Sequence, residues 1–382
     1  MNFDLTDDQR AIRDLCRDFA QNEVAPQAEH NDAHEQFPYG LVKKMAELGL
    51  MGLPFPEEYG GAGADTISYA LAVMEISRAD ASTGITLAAH VSLGASPIYR
   101  FGTEKQKQEY LVPLVRGERL WGFGLTEPGA GSDAGATSTR AELRDGTWTI
   151  NGAKAFITNS GTDITGGTTI TAVTGKDASG RSEISNLIVP QDTPGFTRSK
   201  KYKKMGWRAS DTRELSFVDA RVPEENLLGE RGKGLQQFLK ILDGGRISVA
   251  ALSVGLAMGA YDEALKYAKE RQQFGKSISK FQAIQFKLAD MLTEIEHAKL
   301  MVLKAAWEKD RGLPFEMTAS LAKLFSGEMS RRVVNEALQV HGGYGFMDEY
   351  PISRMYRDQK INEIGEGTNE IQRLVIARLI GL

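Results

Sequence analysis

Sulfur chemistry is almost missing from this chain. Its 382 residues include one cysteine, Cys16, so no internal disulfide can form. A chain that invests nothing in disulfides fits a reducing compartment. No apolar run approaches the roughly 20 residues needed to cross a bilayer. The start, Met1-Asn-Phe-Asp-Leu-Thr6, has neither an apolar signal core nor an Arg-rich transit pattern. Net charge is only −4, which leaves no basic footprint for nucleic acid and no polybasic patch for a membrane surface. With one cysteine, no zinc-ligand spacing is available. A cytoplasmic protein without nucleic-acid partner, membrane insertion or metal is therefore expected. What remains is ordinary globular material, 41% apolar and 25% charged, in a chain long enough for two or three domains.

Punctuation divides the chain into three regions. Residues 1–120 read as helices. Thr6-Asp-Asp-Gln9 is a capping box ahead of Ile12, Leu15, Cys16 and Phe19 at three-four spacing. Pro26 reads as a break, Pro54 to Gly63 as a turn-rich loop, and Ser68 to Ala79 as helix. Thr103-Glu-Lys-Gln106 is a second capping box, opening a segment that stops near Pro113. Residues 121–232 change character. Asp145-Gly146 and Asn151-Gly152 are hairpin signals bracketing the alternating Thr147-Trp-Thr-Ile150. The β-branched runs Ala155 to Thr158 and Thr168 to Thr174 follow, which argues for an antiparallel sheet or barrel. Residues 233–382 are helical again. Ser279-Lys-Phe-Gln282 is a third capping box, and Phe281, Ile284, Leu288, Met291, Ile295 and Val302 hold one stripe, as in a bundle helix.

Three motifs promise chemistry and fail on context. Gly129-Ala-Gly131-Ser-Asp-Ala134 fits the dinucleotide fingerprint, but Pro128 precedes it and hairpin signals follow, where a strand–turn–helix is required. Its glycines can still expose backbone N–H groups to a polar ligand. Gly275-Lys276-Ser277 resembles the end of a phosphate loop, but Glu270 stands where the first glycine must be. Glu294-Ile-Glu-His297 fits half of a di-iron site, and His30, His34, His90 and His341 all lack the matching Glu; a surface pair is expected there.

The terminal Glu363-Ile-Gly-Glu366-Gly-Thr-Asn-Glu370 is different. Glycines flank Glu366 just ahead of a helix with Ile371, Leu374, Val375 and Leu379 in register. Such a carboxylate is either a base that ligand can approach closely or an acidic residue favoured near a helix start. Burial would raise its pKa and the helix start would lower it.

Further segments decide between these. They are Pro56-Glu-Glu-Tyr-Gly-Gly61, Phe123-Gly-Leu-Thr-Glu-Pro-Gly-Ala-Gly-Ser132, Asn151-Gly-Ala-Lys-Ala-Phe-Ile-Thr-Asn159 and Lys204-Met-Gly206. Val222-Pro-Glu-Glu-Asn-Leu-Leu-Gly229, Leu242-Asp-Gly-Gly-Arg246, Glu270-Arg-Gln-Gln-Phe-Gly275, Gln339-Val-His-Gly-Gly343 and Glu366-Gly-Thr368 follow. In this order and spacing, the chain resembles the acyl-CoA dehydrogenase family over its whole length, and its short-chain, butyryl-type members most. The resemblance implies a mostly α protein with a central β-barrel between an N-terminal helical domain and a C-terminal four-helix bundle. It implies bound FAD, oxidation of an acyl-CoA to the trans-2-enoyl-CoA, an electron-transfer flavoprotein as acceptor, and a homotetramer.

By the same resemblance Glu366 removes the α proton and the β hydrogen leaves as hydride to flavin N5. Another family branch keeps its base at the position of Gly245, which cannot ionise. FAD contacts fall to Leu125, Thr126, Gly131, Ser132, Phe156, Ile157 and Thr158 in the middle region. Arg271, Phe274, Gln282, Gln339, Gly342 and Gly343 would reach FAD largely across a subunit interface, with Thr368 and Glu370 at the terminal helix start. Ser132, Asp243, Arg246 and Gly367 would meet the acyl-CoA. Bland readings stand beside these: Phe156 as strand core, Gln282 as a cap, Arg271 as a solvated helix charge, Asp243 and Arg246 as a helix-start acid and a surface base. Gly365 departs from the family, where an aromatic is common, and implies room for a bulkier or branched acyl chain. The segment from Thr162 to Lys176 is shifted from butyryl-type relatives, so loop placement there is open. Oxidase or enoyl-CoA reductase chemistry on the same fold, or a flavin-free acyl-CoA-binding protein, are the alternatives.

Overall fold

Helices, then a sheet, then helices again follow one another in the computed structural model, which describes residues 4–382. Residues 1–3 of the start read above for a signal core lie outside the described residues. The N-terminal region contains α1 (Asp7–Phe19), α2 (Ala25–Ala33), α3 (Tyr39–Glu47), α4 (Thr66–Ala79), α5 (Ala81–Ala89), α6 (Ser96–Phe101), α7 (Glu104–Gln106) and α8 (Val112–Val115). Both expected capping boxes here are formed: the Thr6 and Thr103 hydroxyls accept from the Gln9 and Gln106 N–H groups, and each glutamine returns the bond. Pro26 does not break the helix. A π-turn over Ala20–Val24 links α1 to α2, and Ala25 N–H bonds Ala20 O, five residues back. Pro97 and Pro113 enter in the same way, each two residues after a π-turn (His90–Ala95 and Lys107–Leu111). The widened turn shifts the bonding pattern just where proline has no N–H to offer.

The middle region contains β1 (Leu120–Gly124), β2 (Arg140–Arg144), β3 (Thr147–Thr158), β4 (Thr165–Lys176), β5 (Ser182–Pro190), β6 (Phe196–Arg198), β7 (Thr212–Pro223) and β8 (Leu227–Leu228). The order is β6-β7-β3-β2-β4-β5-β8, with β1 added parallel to β4. Among the described residues no pairing joins β6 to β8, so the sheet is open and "barrel" describes it only loosely. Most pairs are antiparallel, with parallel contacts confined to β1–β4 and β2–β4. Asp145-Gly146 makes the expected two-residue hairpin, both residues at positive φ.

Asn151-Gly152 does not turn the chain. It is a bulge inside β3, where the register against β7 shifts between Ile150 and Gly152. Asn151 and Asp219 exchange hydrogen bonds at 3.0 and 2.9 Å across the strands, which fixes the bulge. A second shift, between Lys154 and Ile157, leaves Phe156 at φ 61° with its ring outward.

The C-terminal region contains α9 (Gly234–Glu270), the hairpin β9 (Gln272–Gln273) and β10 (Lys276–Ser277), α10 (Gln282–Asp310), α11 (Glu316–His341), α12 (Pro351–Asp358) and α13 (Asn369–Leu379). The third capping box is absent. Ser277 Oγ bonds Ala268 O at 2.8 Å and meets Ser279 Oγ at 2.7 Å, so the serines close the hairpin. Helix α10 then starts only at Gln282, after Phe281. The stripe on α10 is real: Leu288, Met291, Ile295 and Val302 are buried, each worth about 1.5–3 kcal/mol.

Helix α9 corrects the expectation about apolar runs, because it is long and apolar enough to span a membrane by composition. Here it is mostly buried in the protein. A Cβ added at Gly255 or Gly259 would lie 2.2 Å from Met74 O or Arg78 O of α4. Through this contact one apolar cluster runs through both helical regions, whereas the sheet holds its own core around Trp148, Ile150, Leu215 and Phe217.

Candidate active site

The rejected motifs stay rejected. Residues 129–134 form a loop between β1 and β2, and residues 275–277 belong to the β9–β10 hairpin. Glu294 pairs with Arg332 at 2.6 Å. Among the described residues no His/Cys/Asp/Glu group could hold a metal.

Glu366, like Phe274, is a non-glycine residue of the C-terminal region with a left-handed backbone. It has φ 54°, and Gly367 follows at 89°. A left-handed non-glycine residue is costly and persists only where its surroundings impose it. Thr368 supplies part of that constraint by capping α13, its hydroxyl accepting from Ile371 N–H at 3.3 Å. Fully buried Gln372 supplies the rest, donating to Gly367 O at 3.1 Å. The result is a carboxylate whose two oxygens are both buried and meet no hydrogen-bond partner among the described residues.

Helix α9 passes directly beneath. A Cβ at Gly245 would lie 2.0 Å from Glu366 Oε2 and 3.3 Å from Leu93 Cδ2. Glycine is thus the residue that lets the carboxylate rest on that helix. Burial pushes the Glu366 pKa up to about 7, against the pull of the Lys323 and Arg246 charges. Burial, one of the two influences read from the sequence, thus outweighs these two charges.

Asp243 and Arg246 are not surface groups. Arg246 is 5% exposed, and its Nη1 donates to Asp243 Oδ1 at 2.7 Å and Ser320 Oγ at 3.2 Å. Its Nε is buried without a partner among the described residues. Burial pushes Asp243 up to about 6, opposed by Arg246.

The loop after β1 presents Thr126, half-buried, and Gly131 and Ser132, exposed. An added Cβ at Gly131 would meet nothing within 4 Å, so its backbone is open to close approach. Sequence reasoning named no role for the pair that holds this loop. Glu127 and Lys154 are both buried, with Lys154 Nζ 2.7 Å from Oε1. Glu127 also accepts from Ser138 N–H at 2.7 Å, Ser138 Oγ at 2.6 Å, Thr139 N–H at 3.1 Å and the Thr137 hydroxyl. Burial alone would raise its pKa, but Lys154 and the hydroxyl donors hold it well below the carboxylate range. A charge alternating into the apolar face of β3 was the available signal. Leu125 and Ile157 are buried, and Ile157 belongs to the sheet core. Phe156 is 67% exposed, its ring 5.5 Å from that of Tyr202, so it is not strand core. Thr158 is half-buried.

The remaining residues lie at helix ends and on the surface, and Arg271 is not brought to Glu366 within one chain. At about 1.5 Å rise per residue, Arg271 beyond the end of α9 stands roughly 40 Å from Gly245. Its guanidinium sits 5.3 Å from the Tyr344 ring centre. Nearby in sequence, Phe274 is 92% exposed. Gln282 is the exposed first residue of α10 rather than the end of a capping box. Gln339 is exposed, and Gly342 and Gly343 face open space at the end of α11. Glu370 is exposed on the first turn of α13.

A carboxylate with both oxygens buried and resting on the backbone of Gly245, in a helix–sheet–helix fold, marks the candidate site. Comparison with known proteins specifies it. Residues 6–118, 122–220 and 232–381 match the N-terminal, middle and C-terminal domains of acyl-CoA dehydrogenases. The chain belongs to the acyl-CoA dehydrogenase family. It is 59% identical over 378 residues to a probable acyl-CoA dehydrogenase of Bacillus subtilis, covering 99% of each chain. The solved butyryl-CoA dehydrogenase of Megasphaera elsdenii superposes with a TM-score of 0.96 at 46% identity over 100% of both chains. A chain from work on the electron transferring flavoprotein of Acidaminococcus fermentans also gives 0.96, at 47% identity over 100% of both.

Proposed function

We propose that this protein oxidises a short acyl-CoA to the trans-2-enoyl-CoA, with Glu366 as the base that removes the α proton. The reading rests on one observation: a carboxylate buried without hydrogen bonds, raised to about 7, and seated on the bare backbone of Gly245. An α C–H beside a thioester is a poor acid, so its base must be dry and partly neutralised until substrate arrives. The residues present fit FAD, which when bound accepts the β hydrogen as hydride. Thr126, Gly131, Ser132, the backbones of Leu125 and Ile157, Thr158 and the exposed Phe156 ring would hold it from the sheet. Thr368 and Glu370 lie at the start of α13, where N–H groups suit phosphate. Gly367, Ser132, Asp243 and Arg246 would hold the CoA thioester, the orphaned Arg246 Nε having a donor to give.

Arg271, Phe274, Gln282, Gln339, Gly342 and Gly343 would serve the cofactor of a neighbouring copy, a reading supported by the distance of Arg271 from Gly245 along α9 and by the exposure of the other five. The exposed Phe274 and Phe346 rings support a homotetramer that covers them. An electron-transfer flavoprotein fits as the electron acceptor, and a cytoplasmic setting fits the single thiol. At Gly365 an added Cβ would meet Ile361 O at 3.4 Å and Cγ1 at 3.9 Å and nothing nearer. That supports room beside the base for branched acyl chains.

Anaerobic titration with straight and branched acyl-CoA esters tests the proposal. The expected result is bleaching of the flavin in the parent and not in Glu366→Gln. A protein without flavin, or bleaching in both, overturns it. Peroxide released during turnover in air would move the reading to an oxidase. A sharp optimum at unbranched butyryl-CoA would remove the role given to Gly365.

A further inference from the structure

Helix α11 carries an ammonium group in a place where lysine rarely sits. Lys323 is 1% exposed, on a face with Ala319, Ala322, Ser326 and Ser330, all buried. An ammonium has three donors. Its one hydrogen bond among the described residues goes to Asn369 Oδ1, at 3.1 Å. No carboxylate lies within 4 Å of it among those residues. A buried charge held by one neutral acceptor is costly unless an opposite charge stands nearby.

The surrounding charges can be sorted by their commitments. Glu363, on the turn before Gly365, is claimed by Arg331 at 3.0 Å and Lys360 at 2.6 Å. Glu370, on α13, is exposed and has Arg373 as a charge neighbour. Asp243 on α9 is bonded to Arg246, which repels Lys323. Tyr69 of α4 is neutral and bonded to Ser248 and Ala88 O. Glu366 is the buried carboxylate that no bond claims, and its field acts on Lys323. Helix α11 also grips both ends of the turn that bears Glu366. One helical turn beyond Lys323, a Cβ at Gly327 would lie 2.9 Å from Asn362 O and 3.3 Å from Asn369 Oδ1.

We infer that Lys323 is a positioning residue for the base: it ties the Glu366 turn to α11 through Asn369 and adds a positive charge to that of Arg246, against which the carboxylate ionises. The inference rests on the role proposed for Glu366. Removing the charge makes ionisation harder, so the base titrates at higher pH.

The test uses the flavin-loaded protein, the variants Lys323→Gln, Lys323→Arg and Asn369→Asp, and butyryl-CoA as probe. The pH dependence of anaerobic flavin reduction is measured, together with the infrared carboxyl band that Glu366→Gln removes from the ligand-free protein. Lys323→Gln should move both titrations up by about one unit, and Lys323→Arg should keep them at the parental position. Asn369→Asp places a rival carboxylate on the same ammonium and should move them up by less. An unshifted titration in Lys323→Gln overturns the inference. If that variant fails to fold or to hold flavin, an unshifted Asn369→Asp does so instead. If Glu366→Gln keeps the carboxyl band or reduces flavin at the parental rate, the role of Glu366 falls rather than that of Lys323.

Discussion

Glu127 and Glu366 are both buried carboxylates in glycine-rich segments, and they are opposite in everything else. Glu127 is saturated: Lys154, two hydroxyls and two backbone N–H groups satisfy it, and it stays ionised. Glu366 has no bond to either oxygen among the described residues and is pushed toward the neutral form. Burial with full hydrogen bonding gives a rigid fixture. Burial without it gives a group whose proton affinity is high and whose partner has yet to arrive. The first holds a loop; the second suits catalysis.

Substitutions can break this contrast from either side. The largest effect belongs to Glu366→Gln, which should lower the rate of flavin reduction by at least ~10²-fold while leaving flavin bound, as stopped-flow mixing with butyryl-CoA would measure. Lys154→Met should act on the fold instead. It strands a buried carboxylate and should cost about 3–5 kcal/mol in denaturant unfolding, with loss of flavin. Equal catalytic defects without destabilisation would erase the distinction. Gly245→Ala sets a methyl group 2.0 Å from Glu366 Oε2, so the carboxylate must move. Turnover should fall by up to roughly 10²-fold with flavin content unchanged.

The smallest effect is on stability against pH. The folded pKa of Glu366, about 7, lies above that of an unfolded carboxylate. Both states are protonated well below the carboxylate range, and the native state is increasingly penalised as pH rises to about 7. Thermal unfolding of ligand-free Glu366→Gln and the parent should therefore coincide in acid. The variant should become the more stable one by pH 8.

Much of the fold and the Glu366 half of this contrast were legible in the sequence, and the illegible part has a physical reason. The helix–sheet–helix order, the Asp145-Gly146 hairpin and two capping boxes follow from local chemistry, and local chemistry decided them. Ser279 and Asn151-Gly152 satisfied the same local rules and failed. Hydroxyl bonds within a hairpin claimed the first, and a facing strand that continued past it claimed the second. Glu366 could be singled out by its glycines. The floor beneath it is 121 residues away in sequence, so the contact with Gly245 is tertiary and leaves no local trace. Lys323 did leave one. It breaks a face of alanines and serines at helical spacing, the kind of anomaly that marks a buried charge with a task.

The π-turns ahead of Pro26, Pro97 and Pro113 have a consequence for how this region tolerates change. Each acts as one surplus residue wound into an otherwise regular coil. Deleting a single residue between Ala20 and Val24 would return that coil to regular α-helix and leave Cys16 and Phe19 facing the interior. Pro26 would lose the slack that accommodates its ring. In this stretch the surplus residue serves the proline, not the facing of the helix before it.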